Sequence, residues 1–225
     1  MEIIDRALKE GRTVLTEYES KQVLASYGLP VAPEELVNCT EDLLGAAEKI
    51  GYPIVIKGCS ANIAHKTEKG LIRVDVRNEE EAEDAFSQIS RALNGVPGGA
   101  VLVQPLVKAQ RELVIGLTRD PQFGPCVMFG LGGVFTEILK DTAFRVAPLE
   151  KRDALEMMQE IKARKILEAI RGMAAADQDM LADILMTVGQ IGIENERIKE
   201  IDINPLILSG GKPIAVDALI VLQTT

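Results

Sequence analysis

Short runs of apolar and β-branched residues, separated by residues typical of turns, dominate the chain from residue 100 to residue 148. Each run has the length and composition of a β-strand. Consecutive strands joined by turns pair most simply in the antiparallel direction, so the region predicts a mostly antiparallel sheet. The runs are AVLVQ, RELVIGL, PCVMFG, GVFTEIL and FRVAP.

The residues before this region predict helices. Thr16, with Glu19 three positions later, forms a capping box that predicts a helix over about 17–27. Apolar residues at helical spacing after Thr40 predict a second helix over about 41–50, which Gly51 ends. Asn78 with Glu81 opens a third helix, which runs to about Leu93.

Two strands are expected between the second and third of these helices. PIVIK is short and β-branched and ends at Lys57, and LIRVDV places Ile72, Val74 and Val76 on one face. A long loop joins the two strands.

Beyond the third helix, NGVPGG at 94–99 is a candidate subdomain boundary. Helical patterns return over about 150–171 and 179–191. The chain closes with a predicted strand pair, KEIDINPLIL and PIAVDALIVL, around the turn Gly210-Gly211.

Composition excludes several classes of partner. Of 225 residues, 25 are Lys or Arg and 34 are Asp or Glu, and the net charge of −9 opposes broad contact with nucleic acid. A local nucleotide site is compatible with this charge, because a phosphate group needs only backbone N–H groups, a Lys or two and a metal ion. No apolar run approaches the roughly 18 residues of a membrane span, so we expect a cytoplasmic protein without membrane contact.

The loop GCSANIAHKTEKG carries the single His of the chain, His65. Neutral imidazole is a competent nucleophile at physiological pH, so His65 is a candidate to accept a phosphoryl group. A surface His beside Lys66 is the alternative interpretation. The loop alone does not decide between them.

Lys57 ends an apolar strand, where a charge is normally unfavourable. From a strand end, a Lys can reach phosphate oxygens as a flexible point charge. Alternatively, its stem packs on the sheet edge and its ammonium extends into water.

Polar residues interrupt the two apolar C-terminal strands at Asp202, Asn204 and Asp217. On adjacent antiparallel strands such groups can converge, and Mg²⁺ prefers oxygen ligands from carboxylates, amides, waters and phosphates. Asn204 and Asp217 are therefore the candidate ligands. Asp202 has the same parity as Asn204, but it equally suits a turn or a salt bridge.

Glu112, at the start of RELVIG, is a candidate to accept hydrogen bonds from ribose hydroxyls, or else an exposed strand residue paired with Arg111. GLGG at 130–133 lacks the G-x-G-x-x-G spacing of a dinucleotide site, and we expect a turn there. The Gly-Lys pair at 211–212 precedes Pro, so it is not a Walker A loop.

The order of these parts resembles the ATP-grasp fold. TEYESKQVLASYGLPV is similar to the start of the succinyl-CoA synthetase β chain. DPQFGPCVMFGLGGVFTEILKDTAFRVAPL, and EIDINPLIL with AVDALIVL, resemble the β subunit, or fused ATP-grasp part, of ADP-forming acetyl-CoA and other acyl-CoA synthetases. The resemblance covers nearly the whole chain.

This resemblance implies an α/β fold of the α+β type, a single ATP-grasp domain over 1–225 with nucleotide bound in a cleft between two subdomains. The smaller subdomain is expected at about 20–98, and the larger at about 1–19 plus 99–225.

The implied activity is that of an acid–thiol ligase, which interconverts acyl-CoA, ADP and phosphate with acid, CoA and ATP. The implied partner is an α subunit that carries the CoA-binding and CoA-ligase domains, in an α₂β₂-like hetero-oligomer. The resemblance also implies that a His of that subunit brings the phosphoryl group to this chain.

By position, the resemblance assigns ATP or ADP and Mg²⁺ to particular residues. Lys57 matches the phosphate-binding Lys, Gln104 the hinge that meets adenine, and Glu112 the carboxylate beside ribose. Asn204 and Asp217 match the Mg²⁺ ligands.

His65 falls where related β subunits have a His-Lys pair, which makes it a candidate secondary phosphoryl relay. Two other functions compete with this one: an ATP-grasp carboxylate ligase that works without phosphohistidine, and a non-catalytic nucleotide-sensing module of an acyltransferase. The presence of Lys57, Asn204 and Asp217 argues against the sensor.

Overall fold

The computed structural model describes residues 2–62, 70–108, 111–133 and 141–224. The chain forms two compact units. The smaller unit comprises Thr16–Tyr18 and Ala32–Val107, and the larger comprises Met1–Leu15, Glu19–Val31 and Lys108–Thr225.

Helices and strands alternate through the first part of the chain, and strands dominate the second. The helices within the described ranges are α1 (Glu2–Lys9), α2 (Glu17–Ser26), α3 (Thr40–Ile50), α4 (Glu79–Ala92), α5 (Lys151–Glu160) and α6 (Gln178–Glu194). The strands there are β1 (Glu35–Val37), β2 (Ile54–Cys59), β3 (Ile72–Val76), β4 (Ala100–Pro105), β5 (Arg111–Asp120), β6 (Gly124–Leu131), β7 (Thr142–Val146), β8 (Ile198–Ser209), β9 (Lys212–Ala215) and β10 (Ala218–Leu222).

The smaller unit contains an antiparallel sheet in the order β1-β4-β2-β3. Residues such as Ile56 and Val103 alternate onto one face and pack with α3 and α4 in a common core. Local signals set the helix ends, as predicted. The Asn78 side chain accepts a hydrogen bond from the Glu81 N–H at the start of α4, and Gly51 ends α3 with φ 83.

The larger unit contains an antiparallel sheet in the order β10-β8-β5-β6-β7, and β9 also pairs with β8. The predicted mostly antiparallel sheet is thus confirmed for β5 to β7. Helix α6 packs against β5 and β6 through a buried apolar stripe that includes Leu185 and Val188. The run GVFTEIL at 133–139, predicted as a strand, lies outside the described residues beyond Gly133.

Strand β4 corrects the expected subdomain boundary. Its backbone pairs with β1 and β2, so it belongs to the smaller sheet rather than to the sheet that follows. The smaller unit consequently extends to Val107, and residues 20–31 lie in the larger unit.

Strand β3 does not present one apolar face. Val74 is 53% exposed, whereas Val76 is 1% exposed. Asp75 adopts φ 63, and the β2–β3 register shifts between Ile54 and Ile56, so the alternation of side chains breaks at this point.

The helix predicted over about 150–171 ends at Glu160. Ile161 adopts an extended backbone with ψ 138 and buries its side chain, after which a short 3₁₀ helix covers Arg164–Leu167. Tertiary burial of Ile161 therefore overrides the local helical pattern.

The C-terminal strand pair also proves to be three strands, since β9 and β10 pair with different parts of β8.

Close packing of α6 predicts that Gly192→Ala destabilises the chain. A Cβ atom at Gly192 would overlap Leu117 Cδ1 and lie 2.9 Å from Pro125 Cβ. We expect overpacking to lower the free energy of unfolding, measured by urea denaturation, by about 1–3 kcal/mol.

The matched control is Gly45→Ala, because Gly45 also lies inside a helix but has no atom within 4 Å of an added Cβ. Removal of a glycine there should stabilise the chain by about 0.4–1 kcal/mol. Equal effects of the two substitutions would contradict the packing described for α6.

Candidate functional site

Strand register in the larger unit brings Asn204 and Asp217 opposite each other. Ile203 pairs with Ala218, and Leu206 pairs with Ala215 across the same edge of β8. The same register between these two pairs places residue 204 opposite residue 217. Asn204 is exposed and Asp217 is half-buried.

Asp202 lies two residues before Asn204 on the same face of β8. Ile201 and Ile203 alternate with Asp202 along the strand and are buried in the core. The side chains of Asp202 and Asn204 therefore lie on the face of β8 opposite the core. Burial raises the pKa of Asp202 to about 6, with smaller contributions from the carboxylates of Glu200 and Asp217. Carboxylates are therefore crowded along this part of β8.

This arrangement fits a magnesium ion whose ligands come partly from the protein and partly from a bound substrate. The described residues contain no group of three or more His, Cys, Asp or Glu that could hold a metal ion. Asn204 and Asp217 offer two oxygen donors, and Mg²⁺ typically uses one or two carboxylates and completes its shell with waters and phosphates. The crowded carboxylates also favour a cation electrostatically.

Lys57 in the smaller unit is buried as a charged residue. It is 3% exposed, and its Nζ donates to Glu17 Oε1 over 2.7 Å. The two side chains are only 4% and 1% exposed, so the alternative in which the ammonium of Lys57 extends into water is wrong. Glu17, at the start of α2, balances the charge in the protein interior.

Lys57 and Gln104 lie on the same face of the smaller sheet. Lys57 pairs with Leu102, and Val55 pairs with Gln104, so all four side chains point away from the face that α3 and α4 cover. Gln104 is 3% exposed. Strand pairing thus brings the predicted phosphate and adenine residues to one face of this unit.

Glu112 is half-buried near the start of β5, beside the glycine turn that follows β6. The Gly132 N–H donates to the Glu112 carbonyl oxygen over 2.9 Å. A Cβ atom at Gly133 would lie 2.5 Å from Glu112 Oε2. Of the expected turn GLGG, Gly130 and Leu131 instead belong to β6, and Gly132 and Gly133 lie directly against β5.

His65 lies outside the described residues, and its proposed relay role stays a prediction.

Comparison with known proteins identifies the family. Residues 6–222 match the model of the ATP-grasp domain. The chain belongs to the ATP-grasp family. Its two antiparallel sheets and surrounding helices form the mixed α/β fold that was expected.

Two relatives of this ATP-grasp chain bear names that specify a reaction. The β subunit of ADP-forming acetate–CoA ligase I from Pyrococcus furiosus is 45% identical over 225 residues, which cover 98% of this chain and 97% of that subunit. ADP-forming acetate–CoA ligase I from Archaeoglobus fulgidus is 40% identical over 98% of this chain, which spans only 33% of that longer protein.

A solved ATP-grasp structure is also similar across its whole length. It is the dinucleotide-forming acetyl-coenzyme A synthetase 1 of Ca. Korarchaeum cryptofilum in complex with coenzyme A and Mg-AMPPCP, with a phosphohistidine segment that points towards the nucleotide binding site. The identity is 42%, 99% of each chain is covered, and the TM-score is 0.88.

Glu17 is the residue of this ATP-grasp chain that sequence reasoning missed. Several polar residues of α2 are buried, including Ser20 and Lys21, so the helix lacks a clear division into apolar and polar faces. That absence of amphipathic pattern was the available signal, because buried charges are paired.

Within the described ranges, no helix combines the length and apolar character that a membrane span requires.

The buried ion pair predicts a large stability difference between two otherwise similar substitutions. Glu17→Gln removes a carboxylate partner of the buried ammonium of Lys57, and should lower the free energy of unfolding by about 3–5 kcal/mol. Glu35→Gln removes a partly exposed partner of Lys49 in the same unit and should cost less than about 1 kcal/mol. Urea denaturation of both variants measures the contrast.

Adding Lys57→Met to Glu17→Gln removes the buried charge as well and should recover part of the lost stability. If Glu17→Gln unfolds like Glu35→Gln, the two side chains do not form a buried pair.

Proposed function

We propose that the chain is the ATP-grasp subunit of an ADP-forming acyl-CoA synthetase, and that it transfers a phosphoryl group between a phosphohistidine and a nucleotide. The observation that carries this proposal is the near full-length match, at 45% identity, to a subunit of an ADP-forming acetate–CoA ligase. The bound Mg-AMPPCP and the phosphohistidine segment of the Ca. Korarchaeum cryptofilum structure support the same chemistry.

In the ATP-forming direction, the P–N bond of the phosphohistidine breaks and its electron pair stays on the imidazole nitrogen. A β-phosphate oxygen of ADP forms the new P–O bond and gives ATP. Such a transfer depends on alignment and charge neutralisation more than on an acid–base pair. The complete reaction converts acyl-CoA, ADP and phosphate into acid, CoA and ATP, and it is reversible.

The residues divide between these tasks. Lys57, whose ammonium Glu17 holds in place, donates hydrogen bonds to phosphate oxygens. Asn204 and Asp217 would hold Mg²⁺, which when bound supplies further positive charge to the phosphates. Glu112 accepts hydrogen bonds from ribose, and the backbone at Gln104 meets the adenine.

The CoA chemistry belongs to a partner. The longer Archaeoglobus fulgidus relative supports this, because the present chain matches only 33% of it. We infer an α subunit with CoA-binding and CoA-ligase domains, in an α₂β₂-like assembly in the cytoplasm. His65 serves as a secondary relay that receives the phosphoryl group from the partner's phosphohistidine.

Removal of one metal ligand should abolish most of the activity. When the chain is combined with its α partner, acetyl-CoA, ADP, phosphate and Mg²⁺, ATP should form, and Asp217→Asn should lower kcat/KM by at least about 100-fold. Asp179→Asn is the control, because Asp179 is an exposed carboxylate that pairs with Lys151 in the same unit. If no ATP forms with any acyl-CoA tried, the result would favour a nucleotide sensor instead.

The relay role predicts a label on this chain. After incubation of the complex with [γ-³²P]ATP and Mg²⁺, acid-labile label should appear on both subunits. Because the chain has a single His, label of this type on it identifies His65.

His65→Ala should remove that label and slow turnover by about tenfold or more, while the KM for ADP changes little. Unchanged turnover would eliminate the relay. Absence of acid-labile label from both subunits would favour a ligase that works without phosphohistidine.

A further inference from the structure

We propose that Gly133 determines how strictly the site requires ribose hydroxyls, because only a residue without a side chain leaves Glu112 in position to bind them. This inference rests on the proposed function, in which Glu112 accepts hydrogen bonds from the ribose. It adds a residue that acts on selectivity through Glu112 rather than by touching the nucleotide.

The contact between the two residues is too close for a Cβ atom. A Cβ built on Gly133 would lie 2.5 Å from Glu112 Oε2 and 3.6 Å from its Cδ. Gly133 also adopts φ 65, in the left-handed region that favours glycine. A substitution therefore meets the carboxylate itself.

The backbone around this contact cannot easily yield. Gly132 donates to the Glu112 carbonyl oxygen over 2.9 Å, and a Cβ at Gly132 would lie 2.7 Å from the Leu113 carbonyl oxygen. Glu112 is also paired with Ile207 of β8. The flexible end of the Glu112 side chain is thus the part that moves when residue 133 gains a side chain.

Displacement of this carboxylate should alter selectivity more than stability. A site that hydrogen-bonds a hydroxyl rejects an analogue without that hydroxyl, because its own polar group is left unpaired. Once the carboxylate has moved, ADP and its deoxy analogues offer nearly the same contacts. The ratio of their kcat/KM values should then approach one.

The test compares ADP with 2′-deoxy-ADP and 3′-deoxy-ADP in the enzyme reconstituted with its α partner. In the unmodified enzyme, we expect at least one analogue to be used about tenfold less efficiently than ADP or worse. Gly133→Ala should reduce that ratio to about threefold or less, chiefly through a higher KM for ADP. The ratio does not depend on the fraction of enzyme that is folded.

Gly124→Ala is a matched control at the other end of β6. Gly124 has φ 77, so its substitution imposes a similar backbone strain, but no atom lies within 4 Å of an added Cβ. This variant should keep the discrimination of the unmodified enzyme. Gly133→Asn, which tolerates the left-handed region better than Ala, replaces Gly133→Ala if the latter does not fold.

Glu112→Ala separates failure of this inference from failure of the proposed function. If Glu112→Ala abolishes the discrimination while Gly133→Ala and Gly133→Asn retain it, Gly133 does not position the carboxylate, although Glu112 still binds ribose. If the unmodified enzyme and Glu112→Ala use all three nucleotides equally well, the ribose assignment of Glu112 is wrong, and the role of Gly133 is overturned with it.

Discussion

The pairing of β8 with three other strands is the constraint on which the larger unit depends. β5 pairs along one edge of β8, while β9 and β10 share the other edge. The side chains of Ile201 and Ile203 fix the register, since a slip by one residue would bury Asp202 and Asn204 in the core. Core packing on one face therefore determines which polar groups are presented on the other. The break between β9 and β10 then leaves Asp217 opposite Asn204.

The smaller unit differs in that it buries a charged side chain within an apolar strand. Lys57 lies in β2, whose six residues are all buried. An isolated ammonium in that setting would be strongly unfavourable, and Glu17 compensates it at 2.7 Å. A buried pair of this kind also restricts where the ammonium can lie. The ammonium of Lys57 is thus held in one position, whereas a Lys on the surface would have many rotamers available to it.

Local signals in the sequence predicted much of this fold, and long-range contacts account for what they missed. Asn78 and Gly51 set helix ends through hydrogen bonds and backbone angles within a few residues, so the sequence alone was sufficient there. The sheet to which β4 belongs depends on pairing with β1 and β2, which no local pattern contains. The placement of Asn204 opposite Asp217 was predictable because polar residues interrupt apolar strands that pair. Glu17 was not, because its partner lies 40 residues away.

Electrostatics connect the acidic composition of the chain with a function that uses anionic substrates. The net charge is −9, and Glu200, Asp202 and Asp217 crowd one stretch of sheet closely enough to help raise the pKa of Asp202. A nucleotide that approached this surface without a cation would be repelled by like charges. The carboxylates and the phosphates therefore favour the same cation, and each stabilises its binding in the presence of the other. Metal and nucleotide binding to such a surface must be thermodynamically coupled, and by linkage the coupling free energy is the same whichever of the two binds first.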